Sequence, residues 1–176
     1  MTTTIRDATV DDIPAITEIY NEDILTTTVS WNASPVDDNN RLEWLARQTA
    51  AGNPVLVTVN AAGAVLGYAT YGDFRPFDGY RHTVEHAVYL RSSARGNGLG
   101  KALVRAVIDH ARAAGKHALV AAIDADNAAS IALHERLGFT HAGRLDQVGT
   151  KFGRWLDVVF LQLILDDGGP NDAGRG

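Results

Sequence analysis

Cysteine is absent from these 176 residues. That removes disulfides, thiolate metal sites and a cysteine nucleophile, and leaves the fold to packing alone. Long apolar runs are missing as well: no stretch approaches the roughly 20 residues that a helix needs to span a bilayer. The start, MTTTIRDATVDD, lacks a basic segment followed by an apolar one, so no signal peptide is expected and the cytoplasm is the default address. Positive charge is in deficit. Lys and Arg total 16 against 21 Asp and Glu, and a net charge of −5 disfavours nucleic acid held on a broad basic face. His82, His110, His117 and His141 are scattered without metal-ligand spacing, and neither a metal nor a membrane partner is expected.

What remains is an ordinary globular composition, 45 % hydrophobic and 21 % charged, in a chain long enough to bury a real core. One domain is expected over residues 1–166. The small, polar, glycine-rich stretch 167–176 is expected to be a disordered tail.

Read in order, residues 4–8 suit a short strand. VDDIPAITEIYNEDILT places Ile13, Ile16, Ile19 or Tyr20, and Ile24 at helical spacing, with Asp11 as candidate N-cap and Pro14 in the first turn. TTTVSWNASP reads as an irregular connection in which Trp31 either anchors packing or walls a site. VDDNNRLEWLARQTAAGN reads as a second helix with Leu42, Trp44 and Leu45 mostly apolar, stopping near Gly52. PVLVTV and AVLGYATYGDF form a hairpin across NAAG, and HTVEHAVYL is a third long strand. Leu103, Val107, Ile108 and Ala111 mark one face of a long helix ending near Gly115. HALVAAID is a strand, IALHERL a short helix stopped by Gly138, and two last strands flank a loop containing Thr150, Lys151, Phe152 and Gly153. Strand, two helices, three strands, helix, strand, helix, two strands: this mixed α/β order predicts one sheet covered by helices on both faces.

The stretch VYLRSSARGNGLG stands out within that order. A strand, a glycine-rich turn and a helix start make an anion site, because the first N–H groups of a helix lack intrahelical acceptors and lie at its positive end. Glycines at 96, 98 and 100 let the main chain approach a phosphate without a Cβ between them. Alone, such a turn also fits a dinucleotide-binding fold or a merely tight connection.

Further residues narrow it. Arg95, Gly96, Asn97, Gly98, Leu99 and Gly100 fit R-x-x-G-x-G, and about 30 residues on, Asn127 and Ser130 followed by Gly138 and Phe139 fit N-x-x-S…G-F. Together these resemble the acetyl-CoA-binding core of the GNAT N-acetyltransferase superfamily. The strings GYATYGDFRPFDGYRHTVEHAVYL, NAASIALHERLGF and QVGTKFGRWLDVVFLQL are similar to its phosphinothricin and methionine sulfoximine (methionine sulfone) acetyltransferase branch, over residues 5–165. The resemblance implies a mixed sheet of about seven strands and acetyl-CoA as acyl donor. It also implies direct attack by the α-amine of a small amino-acid analogue, and a homodimer. Outside that branch, acetylation of protein N-termini or a non-catalytic acyl-CoA-binding module are the alternatives.

The resemblance also implies roles. Gly96, Asn97, Gly98, Leu99, Gly100 and Lys101, with Arg95 beside them, would hold the pyrophosphate; Val88, Tyr89 and Leu90 would pair with the pantetheine arm. Asn127 would bond a pantetheine amide, with Ser130 either joining it or capping the helix. An α-amine is protonated at neutral pH, so a base must take its proton. Glu85 is favoured and His86 is second. Strand alternation puts these two on opposite faces unless a bulge, which the resemblance implies on this strand, intervenes. His134 stands where many relatives carry a proton-donating tyrosine; it would protonate the leaving thiolate or only pack against the donor. For the acceptor's oxyanions the candidates are Arg75, Phe77, Asp78, Gly79 and Tyr80 in one loop and Lys151 and Arg154 in the late one, where each arginine also suits a surface salt bridge.

Overall fold

The computed structural model describes residues 2–166 and 168; the tail expected over 167–176 lies outside them apart from Gly168. A seven-stranded sheet runs in the order β1-β2-β3-β4-β5-β7-β6. Its strands are β1 (Thr3–Asp7), β2 (Val55–Asn60), β3 (Val65–Asp73), β4 (Thr83–Leu90), β5 (Ala118–Asp124), β6 (Thr140–Lys151) and β7 (Arg154–Ile164). The helices are α1 (Ile13–Thr26), α2 (Asp38–Ala50), α3 (Leu99–Ala113) and α4 (Ala128–Glu135). All neighbours pair antiparallel except β4 and β5, which run parallel.

Two apolar layers sandwich the sheet. Ile13, Ile16 and Ile19 of α1 and Leu45 of α2 pack on Val55, Val57, Val59 and Tyr68. On the other face Leu103, Val104, Val107, Ile108 and Ala111 of α3 meet Val84, Leu119, Ala121 and Leu161. The i, i+3/i+4 spacing of the helical residues and the period of 2 in the strands are what bring these sets together.

Some local expectations need correction. Asp12, not Asp11, organises the start of α1: its carboxylate accepts from Thr9 N at 2.8 Å and from Arg6 at 2.7 and 2.8 Å. Thr150 and Lys151 belong to β6 rather than to a loop, because Phe152 and Gly153 alone turn the chain, with φ of 52° and 73°. Two residues at positive φ make a tight hairpin turn that matches strand twist. Asn127, not Ser130, caps α4: its Oδ1 accepts from Ser130 N at 3.1 Å. No bulge interrupts β4 against β3, whose register runs unshifted from Leu90–Gly67 to Val84–Asp73.

Candidate active site

The site is opened by a divergence within the sheet. β4 pairs with β5 only through Thr83, Val84 and Glu85, opposite Ala118, Leu119 and Val120. Beyond Glu85 the first strand stays with β3 and the second with β7, so a wedge opens between them. The main-chain polar groups along the two inner edges there lose their strand partners and are left for a ligand or water to satisfy. A cavity of about 750 Å³ fills this wedge, bordered by residues 85–90 on one side and 121–124 on the other.

At one mouth lies the start of α3. Gly98 is its N-cap with φ 79°, and Gly96 precedes it with φ 80°. The first intrahelical bond is from Ala102 N to Gly98 O, so the N–H groups of Leu99, Gly100 and Lys101 come before the ladder starts. A Cβ built on Gly96 or Gly98 meets nothing within 4 Å, so open space for a phosphate lies over both. Asn97 Nδ2 holds the turn through the carbonyls of Ala94 (3.3 Å) and Arg95 (3.2 Å). Arg95 turns inward. Its guanidinium meets the buried Asp23 carboxylate at 2.7 Å and donates to Leu90 O, tying the turn to α1. Burial raises the Asp23 pKa, and the charge of Arg95 opposes that rise.

Glu85 and His86 both border the cavity although strand alternation sends them to opposite faces, because the wedge reaches both. Burial raises the Glu85 carboxyl from its ordinary value, and the nearby charge of Arg75 partly offsets it. His86 is 7 % exposed, with Nε2 at 3.1 Å from Nε2 of His134. Nδ1 of His134 stands 2.7 Å from Ser130 O. A carbonyl only accepts, so His134 carries its proton on Nδ1 and presents a lone pair at Nε2. His86 must then donate from its own Nε2. Burial first, and the neighbouring His134 second, push His86 down to about 3; burial also lowers His134. Two neutral imidazoles thus bridge β4 to α4, against the ring of Phe139. In this arrangement His134 has no N–H aimed at the cavity.

Of the expected residues, Arg75, Glu85, His86, Val88, Tyr89, Leu90, Arg95, Gly100, Asn127, Ser130 and His134 come together around the cavity. Phe77, Asp78, Gly79 and Tyr80 do not. Phe77 is exposed, and the other three form a 3₁₀ turn from which Tyr80 packs edge-on against Phe74. Arg154 pairs with Asp126 at 3.0 Å, and Lys151 is buried against main-chain carbonyls. Within this one chain neither lines the cavity. Trp31 does, and its connection adds Thr28 and Val29, which had no sequence signal beyond β-branching. Leu145, Val148 and Phe160 add an apolar wall from the last two strands.

Comparison with known proteins accords with this geometry. Over 166 residues the chain is 56 % identical to a methionine sulfoximine/methionine sulfone acetyltransferase of Pseudomonas paraeruginosa, covering 94 % of this chain and 96 % of the relative. It is 40 % identical, over 94 % of its length and 84 % of the relative's, to a phosphinothricin N-acetyltransferase of Alcaligenes faecalis. Among solved structures, an acetyltransferase of Salmonella typhimurium with its cofactor acetyl-CoA superposes with a TM-score of 0.95. It is 51 % identical, covering 98 % of this chain and 99 % of that one. Residues 16–139 match the acetyltransferase (GNAT) family model, and the chain belongs to that family.

Proposed function

We propose that the wedge between β4 and β5 is the transfer site of an amino-acid N-acetyltransferase. The enzyme moves an acetyl group from acetyl-CoA to the α-amine of a small amino-acid analogue of the methionine sulfoximine, methionine sulfone or phosphinothricin type. The observation that carries this reading is the position of Glu85. It is a half-buried carboxylate at the last residue of β4 paired with β5, where the wedge begins, on the strand that leads to the α3 anion cradle. The relatives' substrates support the choice of acceptor.

In this reading the N–H groups at the start of α3 hold the pyrophosphate, the unpaired edge at Val88, Tyr89 and Leu90 matches the pantetheine amides, and the free Nδ2 of Asn127 adds a donor. Glu85 takes the first proton from the bound ammonium, directly or through water. The amine nitrogen then attacks the thioester carbonyl, the C–N bond forms and the C–S bond breaks. The second proton shed by nitrogen, as it becomes an amide, is the one the thiolate takes up. His86 is a poor base here because its pKa is near 3. Arg75, beside Glu85, offers its charge to the acceptor's carboxylate or its phosphinate or sulfone oxygens.

A homodimer belongs to the same proposal. The last hairpin exposes Leu145 (50 %), Phe152 (58 %) and Trp155 (64 %), an apolar edge that a second copy would cover and that adjoins the cavity wall at Leu145. The test is thiol release from acetyl-CoA against a panel of methionine sulfoximine, methionine sulfone, phosphinothricin, ordinary amino acids and peptides with free N-termini. Release with the first three is expected; release with peptides alone, or with no amine, overturns the assignment.

A further inference from the structure

Lys151 ends β6 with its side chain buried, an uncommon fate for a lysine with no carboxylate bonded to it among the described residues. Its Nζ donates to three main-chain oxygens: Thr27 at 2.6 Å, Ser30, and Asp23 at 3.4 Å. Thr27 is the C-cap of α1, so the ammonium also sits at the negative end of that helix. Burial lowers the lysine's pKa, and the Asp23 carboxylate works against that.

A second grip lies two residues earlier on the same strand. The Trp31 ring is seated on Gly149, where a built Cβ would come within 2.2 Å of Cζ3 and 2.3 Å of Cε3. Those atoms belong to one rigid ring, so any side chain at 149 displaces the whole indole. Between the two grips, residues 27–31 lie outside any helix or strand. Thr28, Val29 and Trp31 of this segment nevertheless line the cavity.

We propose that Lys151 is a positioning residue for the acceptor side of the cavity. By holding the Thr27 and Ser30 carbonyls while Gly149 seats Trp31, the end of β6 shapes acceptor recognition without touching the acceptor or acetyl-CoA. This rests on reading the cavity as the site of amino-acid acetylation, and it replaces the direct substrate contact expected of Lys151 from sequence.

The experiment uses Lys151→Met and, independently, Gly149→Ala in the full chain. Each is assayed with an amino-acid acceptor and with its methyl ester, which lacks the carboxylate. Acetyl-CoA affinity is measured by calorimetry alongside. The acceptor KM should rise about tenfold or more in both variants, since small displacements of a positioning wall are costly. The rise should be similar for acid and ester, while acetyl-CoA affinity stays within about twofold. A penalty confined to the acid would make Lys151 a direct carboxylate partner and overturn the proposal. An unchanged acceptor KM, or an equal loss of acetyl-CoA affinity, overturns it too. Assaying the parent in parallel separates this from the functional reading, which fails only if the parent acetylates no amino acid. In that event acrylamide quenching of Trp31, with Trp44 and Trp155 replaced by Phe, decides the matter. Greater quenching in Lys151→Met supports the grip, and unchanged quenching rules it out.

Discussion

Glu85 takes its chemical character from where β4 stops pairing with β5. The last paired residue is screened by both strands yet borders the wedge, so its carboxyl is partly desolvated and its pKa lies above the ordinary value. A base must be ionised to work, so the acid limb of kcat/KM should lie at higher pH than an ordinary glutamate would give. Glu85→Gln should lower kcat/KM by about 10²–10⁴-fold and leave acetyl-CoA affinity unchanged. Its remaining rate should simply follow ionisation of the acceptor amine. A variant with parental turnover at neutral pH removes Glu85 as the base. His86 makes a separate case. Its folded pKa of about 3 lies below the ordinary 6.5, so the unfolded chain binds more protons between those values and stability falls as pH drops through that window. One such group contributes a slope of about 1.4 kcal/mol per pH unit, starting above the range where carboxylates titrate. His134, also lowered, adds to it. His86→Gln keeps a donor for His134 but cannot titrate, so denaturant unfolding between pH 6.5 and 5 should show a shallower loss than the parent. An identical slope would mean that the pair is not held neutral.

Among the elements, α4 separates two jobs that sequence left tangled. Asn127 caps the helix through Oδ1, and Nδ2 has no partner among the described residues, so Asn127→Asp keeps a capping oxygen while it replaces the donor with a negatively charged oxygen. The expected result is an unfolding midpoint close to the parent's with a weaker acetyl-CoA Kd. Asn127→Ala should also lose about 1 kcal/mol of stability from the missing cap. An unaltered Kd in Asn127→Asp, read by calorimetry, removes Asn127 from the donor site. Elements of this kind were legible because their periods are local: the α3 stripe of Leu103, Val107, Ile108 and Ala111 and the glycine turn before it survive as read. Where β4 leaves β5 was not legible, since no residue marks the point at which two parallel strands stop pairing. Lys151 misled for a related reason. A lysine beside Thr150 and before Phe-Gly has the composition of a polar loop. Its burial depends on carbonyls more than 120 residues away, which sequence spacing does not reveal.

At the scale of the whole molecule, the helices cover the sheet unevenly. α1 and α2 close one face over β2 and β3, and α3 closes the other, but β6 is exposed along almost its whole length. A groove of about 310 Å³ runs past Ala118, Val120, Gly143 and Phe160 on the β4–β5–β7–β6 side. Trp155 and Phe152 stand at the tip of the hairpin with more than half of their surface exposed. Large aromatic side chains left in water at a strand edge invite pairing with another chain, and the same hairpin carries Lys151 and Gly149 against the acceptor wall. Association through this edge would therefore stiffen the acceptor side as well as bury the aromatics. Trp155→Ala should weaken the proposed dimer by about 2–4 kcal/mol, roughly 30- to 1000-fold in Kd, as expected for an aromatic anchor. Light scattering across a dilution series reads the change directly. As the monomer forms, the acceptor KM should rise before acetyl-CoA affinity changes, because Trp31 and the Thr27 and Ser30 carbonyls rest directly on the hairpin whereas the α3 turn meets it only through Asp23 and Arg95. A parent that is monomeric at every concentration, or a Trp155→Ala protein that dimerises as tightly as the parent, would leave this edge to some other partner.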